Sequence, residues 1–414
     1  MGSMRVALVS AEYPPMEGGV GDYTRRLALA LQEGGTEVLL LTSAHARGLP
    51  EDALPVFPLI RSWGWGCLEA IARFVREWRP AVLHLQYQTG AYGMRAAIHY
   101  LADRLRRLPV SVRLVVTMHD LCLPYLFPKA GRLRHVVVAH LLRGADAVVV
   151  TNAADRARLE GERSPARDAV RTWLRPLPPG TLRRPPVLIP LGSSLPVALP
   201  GYDRAAWRAR LGIAPDEVLL GYFGLLHPSK GADLLVEAVV RARQRLNRPV
   251  RLLFVGGGTG TVGQGHAAFA EALRARIATL GLEKAVLWRR HCAAEEAAAC
   301  LLACDLVTIP YRDGASFRRS SLIAALALGC AVLTTEPLAE DEVSLGRGEG
   351  ELRNGENVAL VARSDVSALT EGLVRWLSDP EGRARIAAGA ARLGQAFRWP
   401  EVAARTLALY SQVV

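Results

Sequence analysis

The chain has 414 residues, of which 50% are hydrophobic and 22% charged, so it is long enough for two to three domains with sizeable cores and is not a disordered protein. The apolar stretch 320–335, which contains no charged residue, is shorter than a bilayer-spanning helix and contains Gly329, which argues against a transmembrane protein. The net charge of +12 favours an anionic partner: a nucleotide phosphate, an acidic lipid surface or nucleic acid. A strand-like run starts at Arg5, where a signal peptide would place its charged leader, so we expect a cytoplasmic protein.

Short apolar or β-branched runs alternate with longer periodic segments along the whole chain. The predicted strands are 5–10, 37–42, 81–86, 114–119, 147–151 and 187–191, followed after a break by 218–223, 251–255, 285–288, 306–310, 331–335 and 358–361. The predicted helices include 23–32, 232–246, 267–280 and 366–377. This alternation predicts an α/β fold with parallel sheets that are covered by helices on both faces.

The break between the two series of strands indicates a domain boundary. Segment 192–216 contains three prolines and little periodicity, which is typical of a linker. Two doubly wound, Rossmann-like domains, 1–198 and 199–397, are therefore predicted to face each other. Because ligands of such sheets bind beyond the carboxyl ends of the strands, the cleft between the domains is the expected site.

The six cysteines predict free, buried thiols. They show no CxxC spacing and no regular framework, as expected of a large intracellular protein. Cys300, Cys304 and the nearby His291-Cys292 pair lack the tighter spacing of four zinc ligands, so no metal site is expected.

Net positive charge concentrates in the first half of the chain. Residues 1–200 hold 25 Lys and Arg against 16 Asp and Glu, and segment 156–186 alone contains eight arginines. This segment is either a solvated, partly mobile surface or a partner-docking surface. Trp173 is its only aromatic residue, so nucleic-acid binding is not expected.

A glycine-rich turn follows the first predicted strand. Residues 10–21 read SAEYPPMEGGVG, and a helix is predicted to start near Asp22. Backbone N–H groups of Gly18 and Gly19 in such a turn can approach an anion, and the helix dipole adds its field. Taken alone, the turn is equally consistent with a simple change of chain direction.

A second glycine turn opens the second domain. Residues 221–231 read GYFGLLHPSKG, which places Lys230 at the start of a predicted helix. Only three of the 51 basic residues are lysines, so Lys230 is a candidate point charge for a phosphate group. The alternative is an ordinary surface lysine before a glycine.

A third loop carries two adjacent arginines. Residues 311–321 read YRDGASFRRSS and follow a predicted strand. The last four of them are Arg318, Arg319, Ser320 and Ser321, at a predicted helix start, where the positive end of the dipole favours phosphate. The alternative is a pair of surface arginines in an arginine-rich protein.

Taken together, the order and spacing of these blocks resemble a retaining GT-B glycosyltransferase of family 4, the glycogen-synthase-like and mannosyltransferase-like group. The blocks are the Gly18-Gly19 turn, 117–120 (TMHD), 187–192 (VLIPLG), 223–231 (FGLLHPSKG) and 354–357 (NGEN). The ending, 397–410, resembles the family's last helix, which crosses back onto the first domain. The resemblance therefore adds residues 398–414 to the domain formed by 1–198.

Two positions depart from the family pattern. Leu225 stands where the family has an arginine that binds the donor diphosphate, and Ser316 and Ala324 stand where it has two glutamates in an E-x7-E pattern. We expect Arg318 and Arg319 to supply the charge that is missing at Leu225. Either Asp313 or Ser316 would replace the first glutamate, whereas Ala324 leaves the usual carboxylate contact to the nucleotide ribose unfilled.

The resemblance implies transfer of a sugar from a UDP- or GDP-linked donor to a hydroxyl acceptor, with retention and without a metal. The acceptor would be lipid-linked, a polysaccharide or a small glycoside. Lys230, His119 and Arg318 are the expected catalytic residues. The expected donor-binding residues are Gly18, Gly19, Lys230, Asp313, Ser316, Arg318, Arg319, Ser320 and Ser321. A nucleotide-sugar epimerase and a catalytically silent homologue are the alternatives.

His119 closes a predicted strand before Asp120, where a neutral imidazole would hydrogen-bond a sugar hydroxyl or steady the reacting centre. A structural role is the alternative, and His84 and Gln86 are weaker candidates. A GxGxxG match at 258–263 lacks the acidic residue of a dinucleotide site and is interpreted as a mobile loop on the donor side. The positive first domain also suggests peripheral docking on the inner face of an anionic membrane.

Overall fold

The structure is a computed structural model of the chain. It describes residues 4–16, 18–46, 53–124, 131, 133–163, 174–256, 264–290, 292–346 and 350–414. The chain forms two compact units, Met1–Gly192 with Trp399–Val414, and Ser193–Arg398. The division falls before the expected residue 198, because the backbone of Ser193 already pairs with Phe397 of the second unit, at 2.8 Å.

A seven-stranded parallel sheet forms the centre of the N-terminal unit, in the order β3-β2-β1-β4-β5-β6-β7. Its strands are β1 Arg5–Ser10, β2 Glu37–Ser43, β3 Val56–Ile60, β4 Val82–Tyr87, β5 Arg113–Met118, β6 Ala147–Val150 and β7 Val187–Leu188. The strands other than β3 are almost entirely buried, because helices cover both faces of a parallel sheet. The order of the strands reverses between β1 and β4.

Helices connect these strands. They are α1 Gly19–Glu33, α2 Gly66–Trp78, α3 Leu101–Arg106, α4 Leu133–Gly144 and α5 Ala153–Leu159, with a 3₁₀ turn at Ala97–Tyr100. Helix α1 begins three residues before the expected Asp22, directly at the glycine pair.

A six-stranded parallel sheet forms the centre of the second unit, in the order β10-β9-β8-β11-β12-β13. Its strands are β8 Val218–Phe223, β9 Val250–Val255, β10 Val286–Arg289, β11 Leu306–Ile309, β12 Val332–Thr335 and β13 Ala359–Val361. Here the order reverses between β8 and β11. In open α/β sheets the loops that leave neighbouring strands at such a reversal diverge and leave a crevice for a ligand.

The helices of the second unit cover both faces of its sheet. They are α6 Arg204–Arg210, α7 Ala232–Arg243, α8 Gln264–Thr279, α9 Ala294–Ala303, α10 Ser320–Ala327, α11 Val366–Ser378 and α12 Pro380–Gly394. The final helix, α13 Trp399–Val413, belongs to the N-terminal unit and packs against α1, as expected. Buried Leu27 of α1 and Tyr410 of α13 share one hydrophobic core.

The prediction of a linker at 192–216 is wrong in part, because this segment contains helix α6. Asp203 caps this helix by accepting from Ala205 N at 2.8 Å. Arg204 and Arg208 then bind the carboxylate of Asp305, at 2.8 and 3.0 Å. Since ion pairs rather than an apolar stripe anchor α6, hydrophobic periodicity did not reveal it.

The arginines of segment 156–186 are partly structural. Buried Arg158 donates to the carbonyl of Leu174, and Arg183 binds Asp146 at 2.9 Å. The expectation of a solvated surface is therefore wrong for Arg158, whereas Arg183 is exposed, as expected. Residues 164–173 and the GxGxxG match at 258–263 lie outside the described residues.

All six cysteines are free thiols, as expected, but only Cys67, Cys300 and Cys330 are buried. The other three are partly exposed, which corrects the expectation of uniformly buried thiols. In the described part of the chain, no helix is both long and apolar enough to cross a membrane.

Candidate functional site

Two glycines shape the reversal point of the second unit. Gly224 follows β8 with φ +126°, and a Cβ placed there would lie 2.7 Å from Nζ of Lys230. Gly231 has φ +65°, and a Cβ there would lie 2.1 Å from the carbonyl oxygen of Pro310 after β11. Glycine is needed at both positions, because a side chain would displace Lys230 in one case and separate the two loops in the other.

Lys230 ends a 3₁₀ turn, Pro228–Lys230, that is braced from the loop after β11. Arg312 donates from Nε to the carbonyl of Pro228 at 3.1 Å and forms an ion pair with Asp233. Arg312 also donates its backbone N–H to Ser229 O at 2.8 Å. The turn that carries the ammonium group is thus fixed by the neighbouring strand's loop.

Electrostatics at Lys230 favour an anion. Burial and the neighbouring Arg319 guanidinium lower the pKa of Lys230 to about 8. Among the residues that the structure describes, no carboxylate forms an ion pair with this ammonium group. Two adjacent cations without a shared counterion are the arrangement that a diphosphate would neutralise.

Arg319 lies between an aromatic ring and a carboxylate. Its guanidinium is 5.2 Å from the ring centroid of Tyr311, and it forms an ion pair with Asp313. The Tyr311 hydroxyl shares a hydrogen bond of 2.7 Å with Oγ of Ser321. Asp313 therefore holds Arg319, and Ser321 holds Tyr311, whereas Ser320 at the start of α10 is exposed.

A carboxylate that the sequence did not single out lies beside Ser316 and Arg318. Glu342, in the 3₁₀ turn Glu340–Val343 after β12, is only 7% exposed. Oγ of Ser316 donates to Oε2 of Glu342 at 2.7 Å, and Nη1 of Arg318 lies 3.4 Å from Oε1. Because β12 neighbours β11 in the sheet, an acidic residue shortly after β12 was the available signal. Ala324 is fully buried within α10, away from any polar role.

In the N-terminal unit, a second overlooked carboxylate lies at the start of α1. A Cβ on Gly18 would lie 2.1 Å from Oε2 of Glu12, so the glutamate side chain rests against this glycine, whereas Gly19 has open space beside it. Burial and the nearby Asp22 carboxylate raise the pKa of Glu12. A carboxyl group of the protein itself thus lies against Gly18.

His119 is a neutral imidazole in a largely apolar setting. Burial lowers its pKa to about 4. Its Nε2–H donates to Oε1 of Gln86 at 3.0 Å, and the Tyr23 ring packs edge-on at 4.8 Å between centroids. Asp120 instead accepts from the backbone N–H of Cys122 at 3.1 Å. A neutral His119 of this tautomer keeps Nδ1 as an acceptor for a hydroxyl group.

His84 is structural. It is buried and forms hydrogen bonds of 2.6 Å with the Tyr410 hydroxyl and 2.7 Å with Oγ1 of Thr117. Burial, with a smaller effect of His119, lowers the pKa of His84 to about 3. This network ties α13 to the sheet.

The expected site residues thus divide between the two units. In the second unit, Lys230 and Asp313 neighbour Arg319, which lies beside Tyr311 with Ser321, and Ser316 and Arg318 contact Glu342. Gly18, Gly19 and His119 belong to the N-terminal unit. Within the described ranges, no three His, Cys, Asp or Glu side chains are grouped so that they could hold a metal ion.

Two parallel-sheet, Rossmann-like units, each with a polar cluster where the strand order reverses, define the GT-B class of α/β proteins. The family described as Glycosyl transferase 4-like domain matches residues 18–172, and the family described as Glycosyl transferases group 1 matches residues 217–379. The chain belongs to these family 4-type glycosyltransferases, which confirms the resemblance and the fold class expected from the sequence.

Curated relatives support this assignment. A D-inositol 3-phosphate glycosyltransferase of Kineococcus radiotolerans is 32% identical over 55% of this chain and 52% of its own length. One from Xylanimonas cellulosilytica is 26% identical over 99% of this chain and 96% of its own length. The chain spans about half the length of the relatives that it matches at 30% identity or more.

Solved structures share the fold. Anabaena HepE in complex with UDP aligns with a TM-score of 0.71 at 19% identity, over 99% of this chain and 100% of that chain. Sucrose-phosphate synthase from Thermosynechococcus elongatus aligns with a TM-score of 0.66 at 21% identity, over 99% of both chains.

Proposed function

We propose that this protein transfers a sugar from a nucleoside-diphosphate sugar to a hydroxyl acceptor, with retention and without a metal. The observation that carries the proposal is the juxtaposition of Lys230 and Arg319 at the β8/β11 reversal, where the partly buried Lys230 lies beside a second cation. The names of the curated relatives, which are glycosyltransferases, support the reaction class. HepE complexes with UDP and with UDP-glucose support a nucleotide-sugar donor.

The diphosphate would bind Lys230 and Arg319. As the glycosidic bond breaks, the electron pair moves onto the departing phosphate oxygen, and preorganised cations stabilise that charge. Asp313 does not prevent this contact, because its side chain is half exposed and an exposed ion pair contributes little to stability. Ser320 and the backbone N–H groups at the start of α10 would add hydrogen bonds to the phosphate.

Glu342 would take the part of the carboxylate that the family pattern places at position 316. Asp313 is engaged with Arg319, whereas Glu342 is fixed by Ser316 and Arg318 on neighbouring loops. Arg318 therefore acts in the proposal mainly by holding Glu342. Each oxygen of an ionised carboxylate has two lone pairs, so Glu342 would accept from sugar hydroxyl groups in addition to its contacts with Ser316 and Arg318, and such bonds would orient the donor.

Retention requires no dedicated protein base in this proposal. The departing phosphate oxygen accepts the proton of the acceptor hydroxyl, whose oxygen forms the new bond to the sugar carbon from the same face. The charges of Lys230 and Arg319 take the place of a metal ion in neutralising the diphosphate.

The N-terminal unit would supply groups for the acceptor. Glu12, with its raised pKa, and the neutral His119 both accept hydrogen bonds, as hydroxyl groups require. Gly18 and Gly19 leave backbone N–H groups at the start of α1. The acceptor is a hydroxyl of a lipid-linked glycan, a polysaccharide or a small glycoside.

The test begins with thermal stabilisation by UDP-, GDP- and ADP-sugars, since a ligand that binds only the folded state raises the melting temperature. The stabilising donor is then incubated with and without acceptor extracts, and the products are separated. Acceptor-dependent transfer supports the proposal. An isomerised donor without acceptor would instead indicate an epimerase, and neither transfer nor hydrolysis would indicate a silent homologue.

A further inference from the structure

The helical layer of the N-terminal unit exposes large apolar side chains. Trp65, Val136 and Leu133 are 63%, 58% and 48% exposed. Single exposed apolar residues are ordinary, but adjacent ones mark an interaction surface.

These side chains form a continuous strip. The Trp65 ring lies 5.3 Å from the Tyr100 ring, which lies 4.9 Å from the ring of His140 on α4. Val136 and Leu133 lie one and two helical turns before His140, on the same side of α4. We name Trp65, Tyr100, Val136 and Leu133 the apolar strip.

The strip lies in a strongly basic part of the unit. Residues 59–144 contain 13 Lys and Arg against 4 Asp and Glu, which accounts for the whole basic excess of residues 1–200. Arg95 is exposed and donates to Oγ of Ser62 at 3.0 Å, three residues from Trp65. Arg143 is exposed one turn after His140 on α4. Arg95 therefore lies beside the Trp65 end of the strip, and Arg143 lies beside its centre, where Tyr100 contacts His140.

The acidic side chains near the strip are already neutralised. Glu69 pairs with Arg104 at 2.7 Å and with Arg76 at 3.1 Å. Asp103 pairs with Arg106 at 2.9 Å. An approaching anionic surface would therefore meet net positive charge.

We propose that the apolar strip, with Arg95 and Arg143 beside it, docks the N-terminal unit on an anionic lipid surface. Aromatic and aliphatic side chains enter the headgroup boundary, while the arginines contact anionic headgroups. A second copy of the chain fits less well, because two such faces would bring positive charge against positive charge. Nucleic acid fits less well, because the aliphatic side chains of Val136 and Leu133 neither stack on bases nor bind phosphate groups. The proposal stands independently of the sugar-transfer reaction.

The experiment is flotation of the full chain with vesicles of phosphatidylcholine alone and with 30% phosphatidylglycerol, at low and high salt. We expect binding to the anionic vesicles only, weakened by salt. The Trp65→Ser, Val136→Ser double variant should lower the partition coefficient about tenfold or more, because each apolar group buried contributes to binding. Leu338→Ser, which replaces a 54% exposed leucine of the second unit, is the matched control and should bind like the wild type.

Equal flotation with neutral vesicles, no flotation, or unchanged binding of the double variant would overturn the proposal. Sedimentation that shows a dimer of the wild type, lost in the double variant, would assign the strip to a protein interface instead. The melting temperature of the double variant shows whether the variant is folded. Its rise with added nucleotide shows whether the donor site is intact, so that a loss of vesicle binding is not confused with a loss of donor binding.

Discussion

The two units share an architecture and differ in the charge of their clusters. In each, a parallel sheet reverses its strand order beside the first strand, and a glycine after that strand lets a charged side chain lie against the backbone. In the second unit this side chain is Lys230 against Gly224, whereas in the first it is Glu12 against Gly18. The N-terminal unit also contains the neutral His119, which follows β5.

This difference shows what the fold decides and what the side chains decide. Strand order places a crevice at the same point of both sheets. The side chains then set the ligand's charge: adjacent, partly buried cations favour an anion, whereas a carboxyl group and a neutral imidazole suit hydroxyl groups. Substitutions in the two clusters should therefore have separable effects on donor and acceptor.

The largest effect is expected for Lys230→Ala. Loss of one preorganised charge that stabilises the leaving group should lower kcat about 10²- to 10³-fold. Initial rates at saturating donor measure this. Exposed Lys284→Ala is the matched control, with wild-type turnover expected. A Lys230→Ala variant that keeps more than about a third of wild-type kcat would show that Lys230 does not stabilise the leaving group.

Glu342→Gln should come next. Glutamine keeps the size of the side chain and an acceptor for Ser316 but removes the negative charge, so turnover should fall about 10- to 100-fold, the range for a lost charged hydrogen bond. Steady-state kinetics with varied donor measure the change. Exposed Glu336→Gln, shortly after the same strand β12, should have no effect. Equal rates for both variants would indicate that Asp313 or Ser316, and not Glu342, contacts the donor sugar.

The Glu12→Gln substitution tests the role of the N-terminal unit in acceptor binding. We expect acceptor-dependent transfer to fall about tenfold while donor affinity stays unchanged, because Glu12 lies in the unit without the cationic cluster. Calorimetry of nucleotide binding and transfer rates on the same preparation measure both. A parallel loss of donor affinity would contradict the division of roles.

The smallest effect concerns pH. A diphosphate binds the protonated form of Lys230, whose pKa is about 8 in the free protein. Affinity should therefore decrease as the pH rises, about fourfold between pH 7 and 8.5. Calorimetric titrations at both values measure it. Lys230→Ala should flatten the profile, and an affinity that rises with pH would exclude Lys230 as the partner of the diphosphate.

Much of the fold could be predicted from the sequence because buried parallel strands are short apolar runs. Edge strand β3 was missed, since Pro58 and Leu59 are exposed and break the run. Strand β7 is shorter than expected, because Pro190 cannot extend a ladder of hydrogen bonds. Helix α6 was missed, because Asp305, almost a hundred residues away, anchors it.

The candidate site could be predicted only where a motif is local. Gly224 and Lys230 lie on one turn, and Asp313 and Arg319 on one loop, so their spacing is visible in the sequence. Glu342 contacts Ser316 from the loop after a neighbouring strand, and the two residues are 26 positions apart in the sequence. Spacing of that kind depends on loop lengths, which a single sequence does not fix. Glu12 was visible in the glycine-rich turn, but its contact with Gly18 requires coordinates.

The most direct measurement is a crystal structure of the full chain with the nucleoside diphosphate that stabilises it best. We expect the diphosphate within hydrogen-bond distance of Nζ of Lys230, with Arg319 turned from Asp313 toward a phosphate oxygen. A diphosphate bound away from both side chains would show that these two cations do not hold the leaving group.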